Sequence, residues 1–92
     1  MTDKQILLGA VDYINKHGWQ QHSLGFHGQS RCLLGACRSN IPNGEYTTDG
    51  WFCFLDRLRH LFGMEPAQWN DTVATSPEEV ITKLQQIAAT LP

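Results

Sequence analysis

A chain of 92 residues, 41% hydrophobic and 17% charged, has material for one hydrophobic core and not two, so residues 1–92 read as a single globular domain. The 10% aromatic content is that of a packed protein, not a disordered one, and a formal charge of −2 argues against the broad basic face that grips nucleic acid. No apolar run approaches the roughly eighteen residues of a membrane span, MTDKQILLGA lacks the apolar core of a signal peptide, and three irregularly spaced cysteines make no disulfide framework, so the expectation is a cytoplasmic protein with reduced thiols.

Thr2 and Gln5 fit a capping box, and Ile6, Leu7, Ala10, Val11 and Ile14 follow at helical spacing, with Lys4, Asp12, Asn15 and Lys16 on the other face. This predicts a helix over 3–17, closed by Gly18 with His17 favourably placed in the last turn, after which Trp19 folds back onto the core. HSLGFHG, residues 22–28, alternates Leu24 and Phe26 with polar or small residues. It reads either as a short strand paired with EYTT (45–48) or as an irregular loop.

GQSRCLLGACRSN, residues 28–40, predicts a helix over 30–39 capped by Ser30. Cys32, Gly35, Ala36 and Ser39 form a stripe of small side chains, and Leu33, Leu34 and Cys37 cover much of the rest, so a buried helix closely approached by another helix is expected. Pro42-Asn43-Gly44 signals a turn, and Thr48 or Asp49 can cap the next helix, over 50–62. Its expected apolar face is Trp51, Phe52, Leu55, Leu58, Leu61 and Phe62, with Asp56, Arg57, Arg59 and His60 turned away and Gly63 at its end. PAQWND suits one short helical turn. Ser76, Pro77 and Glu79 mark the start of a last helix, over 77–90, whose stripe is Val80, Ile81, Leu84, Ile87, Ala88 and Leu91. The expected fold is all-α, or mainly α with that minimal β pair, built from four helices.

Four pieces taken together, HGWQQ (17–21), CLLGA (32–36), WND (69–71) and SPEEVITKLQQIA (76–88), resemble in order and approximate spacing a family of small proteins frequent in actinobacteria and their phages, the domain of unknown function 6197. WND ahead of the capped EEV helix is the most specific part; residues 40–54 match nothing in the pattern. The resemblance implies a compact helical fold and brings no activity.

Function has therefore to be read from residues. Cys32 in a first helical turn, with His22 or His27 as base and Gln29 as an oxyanion donor, outlines a thiol hydrolase, although the local motif of papain-like enzymes is missing. The competing reading is a small buried side chain. No Cys-x-x-Cys or His-x-x-x-His pair occurs, so no metal site or cofactor is expected, and five helical residues would hold the Cα atoms of Cys32 and Cys37 roughly 8–9 Å apart, beyond disulfide reach. Trp19 and Trp69 could line a ligand box but suit loop anchors better; Asn70 and Asp71 suit turn or capping groups. Specific DNA binding is disfavoured, since the final helix carries one lysine, Lys83.

The leading expectation is a non-enzymatic accessory or phage regulator that binds a protein partner, itself a monomer or homodimer. Its expected contact surface is Arg38, Arg57, Arg59 and His60, with the 20–29 loop next in line. All four arginines lie between residues 31 and 59; the plainer reading has them solvated beside acids such as Asp49 and Asp56. The alternative function is a small enzyme centred on Cys32.

Overall fold

The capping box forms in full. Gln5 N–H donates to the Thr2 hydroxyl at 3.2 Å and Thr2 N–H to the Gln5 side chain at 2.9 Å, which starts α1, Asp3–His17. Gly18, at φ 93°, ends it by donating its N–H to the Ile14 carbonyl at 2.8 Å. The computed structural model describes residues 2–42 and 48–92. In it α1 is followed by α2 (Leu33–Ser39), α3 (Thr48–Phe62), α4 (Pro66–Gln68), a π-helical turn (Trp69–Val73) and α5 (Pro77–Ala89). α1 packs against α2 and α5, while α4 touches both α2 and α3. One core joins them: Ile6, Leu7 and Ala10 of α1 meet Leu33, Ala36 and Cys37 of α2, Phe54, Leu58 and Phe62 of α3, and Val80, Leu84 and Ile87 of α5. No helix is long and apolar enough to cross a membrane among the described residues.

Several boundaries and faces differ from expectation for physical reasons. α2 begins at Leu33 and not at residue 30, because Cys32 is the cap: its Sγ accepts the Gly35 N–H at 3.4 Å. Ser30 instead donates its hydroxyl to the Gln20 side chain. The small stripe does not meet a helix at Gly35. A Cβ there would come within 2.4 Å of the Leu24 carbonyl oxygen and 2.8 Å of Arg31 Nε, so it is the 20–31 segment that lies against it. The close approach of α1 and α2 falls at Gly9, where a Cβ would lie 2.3 Å from Asn40 Nδ2.

α3 starts earlier than expected, at Thr48, with Asp49 inside its first turn and not ahead of it. Its buried line is Phe54, Leu58 and Phe62, with Trp51 partly buried, whereas Phe52 and Leu61 face solvent. The face is thus rotated from the expected one. In α5 Ser76 caps through Glu79 N–H (3.2 Å) and Pro77 takes the first position, but the Glu79 carboxylate accepts the Thr75 hydroxyl and does not close a capping box. HSLGFHG is a loop. The Pro42-Asn43-Gly44 turn from Asn43 on, and EYTT up to Thr47, lie outside the described residues. The β character that is present among the described residues is a single parallel bridge between Trp19 and Arg31.

Candidate functional site

The three short motifs meet at one side chain. Pro66 opens α4, and the chain then widens into the π turn, where Ala74 N–H reaches the Trp69 carbonyl at 3.0 Å. That turn carries Asn70 into the interior, where it is fully buried. Its Oδ1 accepts the Trp19 indole N–H at 2.6 Å and the Leu33 backbone N–H at 3.0 Å. Its Nδ2 donates to the Gln20 carbonyl (3.2 Å) and to Asp71 Oδ1 (2.9 Å). Leu33 N–H is one of the donors that a helix start leaves without an intrahelical partner, so Asn70 completes the capping of α2 from across the fold. Gln21 adds to the knot by donating to the carbonyl of Ala74 at 3.0 Å and that of Asn70 at 3.2 Å. Asn70 and Asp71 are capping groups, as expected, but for segments 37 to 51 residues away in sequence and not for their own turn.

Beside the knot a pocket of about 170 Å³ is lined by His22, Leu24, Cys32, Leu34, Asn70 and Asp71 among others. The structure therefore brings Cys32 and His22 to one cavity, with Asp71 behind them. His22 Nδ1 stands 3.9 Å from Asp71 Oδ2, and Asp71 Oδ1 accepts the His22 backbone N–H at 2.8 Å. That bond first, then the Asn70 amide, holds the Asp71 carboxyl below the usual carboxylate range. Cys32 is a different matter. Its thiol is buried, and burial pushes it above its ordinary value, further helped by the nearby Asp71 charge; the N–H groups of Gly35 and Leu34 act in the opposite direction and lose. Its sulfur already serves as the helix cap. A buried, protonated thiol committed to a backbone donor is poorly suited to attack. His27 lies away from this pocket, on the cleft shared with Arg31 and Arg38. Gln29 offers its carbonyl to Tyr13 and is exposed. Cys37 is fully buried with its thiol pushed up by that burial, and all three cysteines are free, with only Cys53 exposed.

Between the bridge residues Trp19 and Arg31 the chain makes a loop held from several directions. Gln20 N–H donates to the Arg31 carbonyl (3.3 Å) and Arg31 N–H to the Gly18 carbonyl (3.4 Å), closing its neck. The Tyr13 hydroxyl accepts Gly28 N–H at 2.9 Å and donates to the Gln29 carbonyl at 2.7 Å. Arg31 Nε holds the Leu24 carbonyl at 3.1 Å, and the Gln20 amide holds the Ser23 hydroxyl at 2.6 Å. His22 adopts a positive φ of 70°, a conformation that costs a side chain energy and that the Asp71 bond maintains. On this fixed frame Leu24 is 53% exposed and Phe26 78%. Single-sequence reading had the loop's composition but not Tyr13, whose helical spacing gave no hint that its hydroxyl clamps a turn fifteen residues away.

The expected arginine surface divides. Arg57 lies in a two-bonded pair with Asp3, its Nη2 to Oδ1 distance 2.8 Å. Arg59 bonds Asp56 and Glu65 together. Arg38 lies over the Trp51 ring, 5.1 Å from its centroid, and His60 is exposed. Trp19 and Trp69 are anchors, the one bonded to Asn70 and the other packed edge-on against Phe62 at 5.3 Å.

Nothing among curated proteins and nothing among solved structures matches this chain. A family model does, over residues 1–90, taking in the Asn70 knot, the loop and every helix. The chain belongs to that family of unknown function, DUF6197.

Proposed function

We propose that this is a non-enzymatic binding protein, an accessory regulator working in a reducing compartment such as the cytoplasm, and that the loop of residues 20–30 is its recognition element for a protein partner. One observation carries this reading: the loop is fixed by hydrogen bonds from α1, from the π turn and from Arg31 at its own neck, yet it turns Leu24 and Phe26 outward. Ordering a segment before binding removes part of the entropic cost of association, and aromatic side chains concentrate binding energy. The expected occupant is an apolar pocket on a protein, deep enough for one phenyl ring and one isobutyl group. The exposed Cys53 thiol and two unpaired buried thiols suit a reducing compartment.

The arginine flank of α3 is the weaker interface, since Arg57 and Arg59 spend their charge on Asp3, Asp56 and Glu65. The test compares the native chain with Leu24→Ser/Phe26→Ser and with Arg57→Glu/Arg59→Glu as immobilised baits in extracts of the native host. A protein retained by the native chain and by the arginine variant but lost by the loop variant is the expected result. Equal retention by the loop variant would refute the reading.

A further inference from the structure

We infer that the chain also binds a small phosphate monoester, in a cleft between the loop and the end of α2. The cleft, about 380 Å³ in volume, is lined by His27, Arg31, Arg38 and Ser39. That is within the range of about 300–1,000 Å³ usual for small-molecule sites.

Charge gives the first argument. The two arginines outside the cleft are paired with carboxylates, whereas among the described residues neither Arg31 nor Arg38 has a carboxylate partner and none that lines the cleft is acidic. A protein of net charge −2 thus sets around one concavity two guanidinium groups that no carboxylate among the described residues compensates. They repel each other, and an anion seated between them turns that repulsion into attraction.

Preorganisation gives the second. Arg31 is oriented by neutral acceptors: Nε donates to the Leu24 carbonyl at 3.1 Å and Nη1 to the Ser39 hydroxyl at 2.6 Å. Both bonds leave its charge whole and part of its five-donor fork unused. Arg38 rests on the Trp51 ring, a contact that consumes none of its N–H groups. The Ser39 hydroxyl, having accepted from Arg31, still has its own proton to donate. His27 adds a ring N–H. Donors arriving from the loop, from the neck of the loop and from the last turn of α2 suit a tetrahedral oxyanion. A planar carboxylate would need only one arginine. The volume exceeds what a phosphoryl group alone fills, which leaves space for the organic part of an ester.

This inference does not rest on the protein-binding role of the loop, and its test needs no partner. Backbone amide NMR shifts are followed while inorganic phosphate, phenyl phosphate, acetate or chloride is added at constant pH and ionic strength. Saturable shifts at residues 27–31 and 38–39 are expected with both phosphates, with phenyl phosphate at least as tight as inorganic phosphate, and not with chloride. Arg38→Ala and Arg31→Gln should each weaken phenyl phosphate binding about tenfold or more, as for loss of a charge-assisted donor, while Arg57→Ala leaves it unchanged. Arg31 also braces Leu24, so Arg38→Ala, an exposed side chain, carries the decision if Arg31→Gln loosens the loop. Acetate binding as well as phosphate, inorganic phosphate binding with the ester excluded, or full affinity in Arg38→Ala would each overturn the proposal.

Discussion

Asn70→Ala tests the centre of the fold most directly. The substitution removes four hydrogen bonds, two accepted by Oδ1 and two donated by Nδ2. Leu33 is fully buried, and leaving its N–H without an acceptor costs about 1–3 kcal/mol. Trp19 is only partly buried, so its indole N–H and the Gln20 carbonyl can turn toward water, at about 0.5–1.5 kcal/mol each. The sum is about 2–6 kcal/mol, against a total stability of roughly 5–14 kcal/mol for 92 residues. In a domain of this size that corresponds to a fall of at least about 8 °C in Tm. Urea unfolding followed by tryptophan fluorescence gives the free energy, and thermal melting by circular dichroism gives Tm. Asn70→Asp sharpens the test because it keeps the shape and the acceptor but places an oxygen against the Gln20 carbonyl and the Asp71 carboxylate. At neutral pH it should be at least as damaging as Asn70→Ala. Burial and the Asp71 charge raise the affinity of the new carboxyl for a proton, so its deficit relative to the native chain should shrink as pH falls and it can again donate. A loss below about 1 kcal/mol in Asn70→Ala, no more than one ordinary hydrogen bond, would show that the knot does not hold the segments together.

Gly35→Leu should cost about 1–3 kcal/mol by overpacking, with NMR shifts concentrated in the 24–31 segment and not along a helix; melting at the native temperature would contradict the placement of the Leu24 carbonyl where a Cβ at residue 35 would stand. Asp71→Asn should alter the acid limb of stability: the depressed folded-state value means the native carboxylate contributes in full above its unfolded titration near pH 4, and that contribution is lost as pH drops through the lower folded value. The stability gap between the native chain and Asp71→Asn should therefore close under acid, and a gap that stays constant to pH 2 would contradict the assignment. Titration with a thiol reagent at neutral pH should find one fast thiol, abolished by Cys53→Ser, and two more only after denaturation; a fast Cys32 would restore the enzyme reading.

How far the sequence could be read depended on the range of the interactions. α1 and α5 were legible because their caps lie within four residues of what they cap, as Thr2 with Gln5 and Ser76 with Glu79 show. The start of α2 was not, because half of its capping comes from Asn70, thirty-seven residues on. α3 was legible as a helix but not in rotation. Trp51, Phe52, Phe54 and Leu55 surround its first turns with apolar groups, so periodicity could not choose between burying Phe52 and burying Phe54, and packing against the rest of the core decided. The small stripe was a true signal of close approach with the wrong neighbour inferred, since a glycine admits a loop carbonyl as readily as a helix.

The distribution of spent and unspent polar groups separates the knot from the surface. Every polar atom of the Asn70 side chain is engaged, Asp71 Oδ1 takes two donors, and Cys32 Sγ closes a helix. Groups so committed hold a fold in place, and chemistry performed by them would have to break the bonds that position them. Around the neighbouring cleft the balance is reversed: Arg31 retains donors, Arg38 gives none to any described residue, and the nearby loop exposes Leu24 and Phe26 on a braced backbone. Binding needs unspent capacity on a rigid support, and here the two lie next to each other, joined by the Arg31–Leu24 bond. A ligand that pulled on the Arg31 guanidinium would load the same bond that fixes Leu24. Phosphate ester and protein partner should therefore influence each other's affinity, by the same factor in either direction. Measuring partner affinity with and without saturating phenyl phosphate tests this, and a ratio of one would show the two sites to be independent.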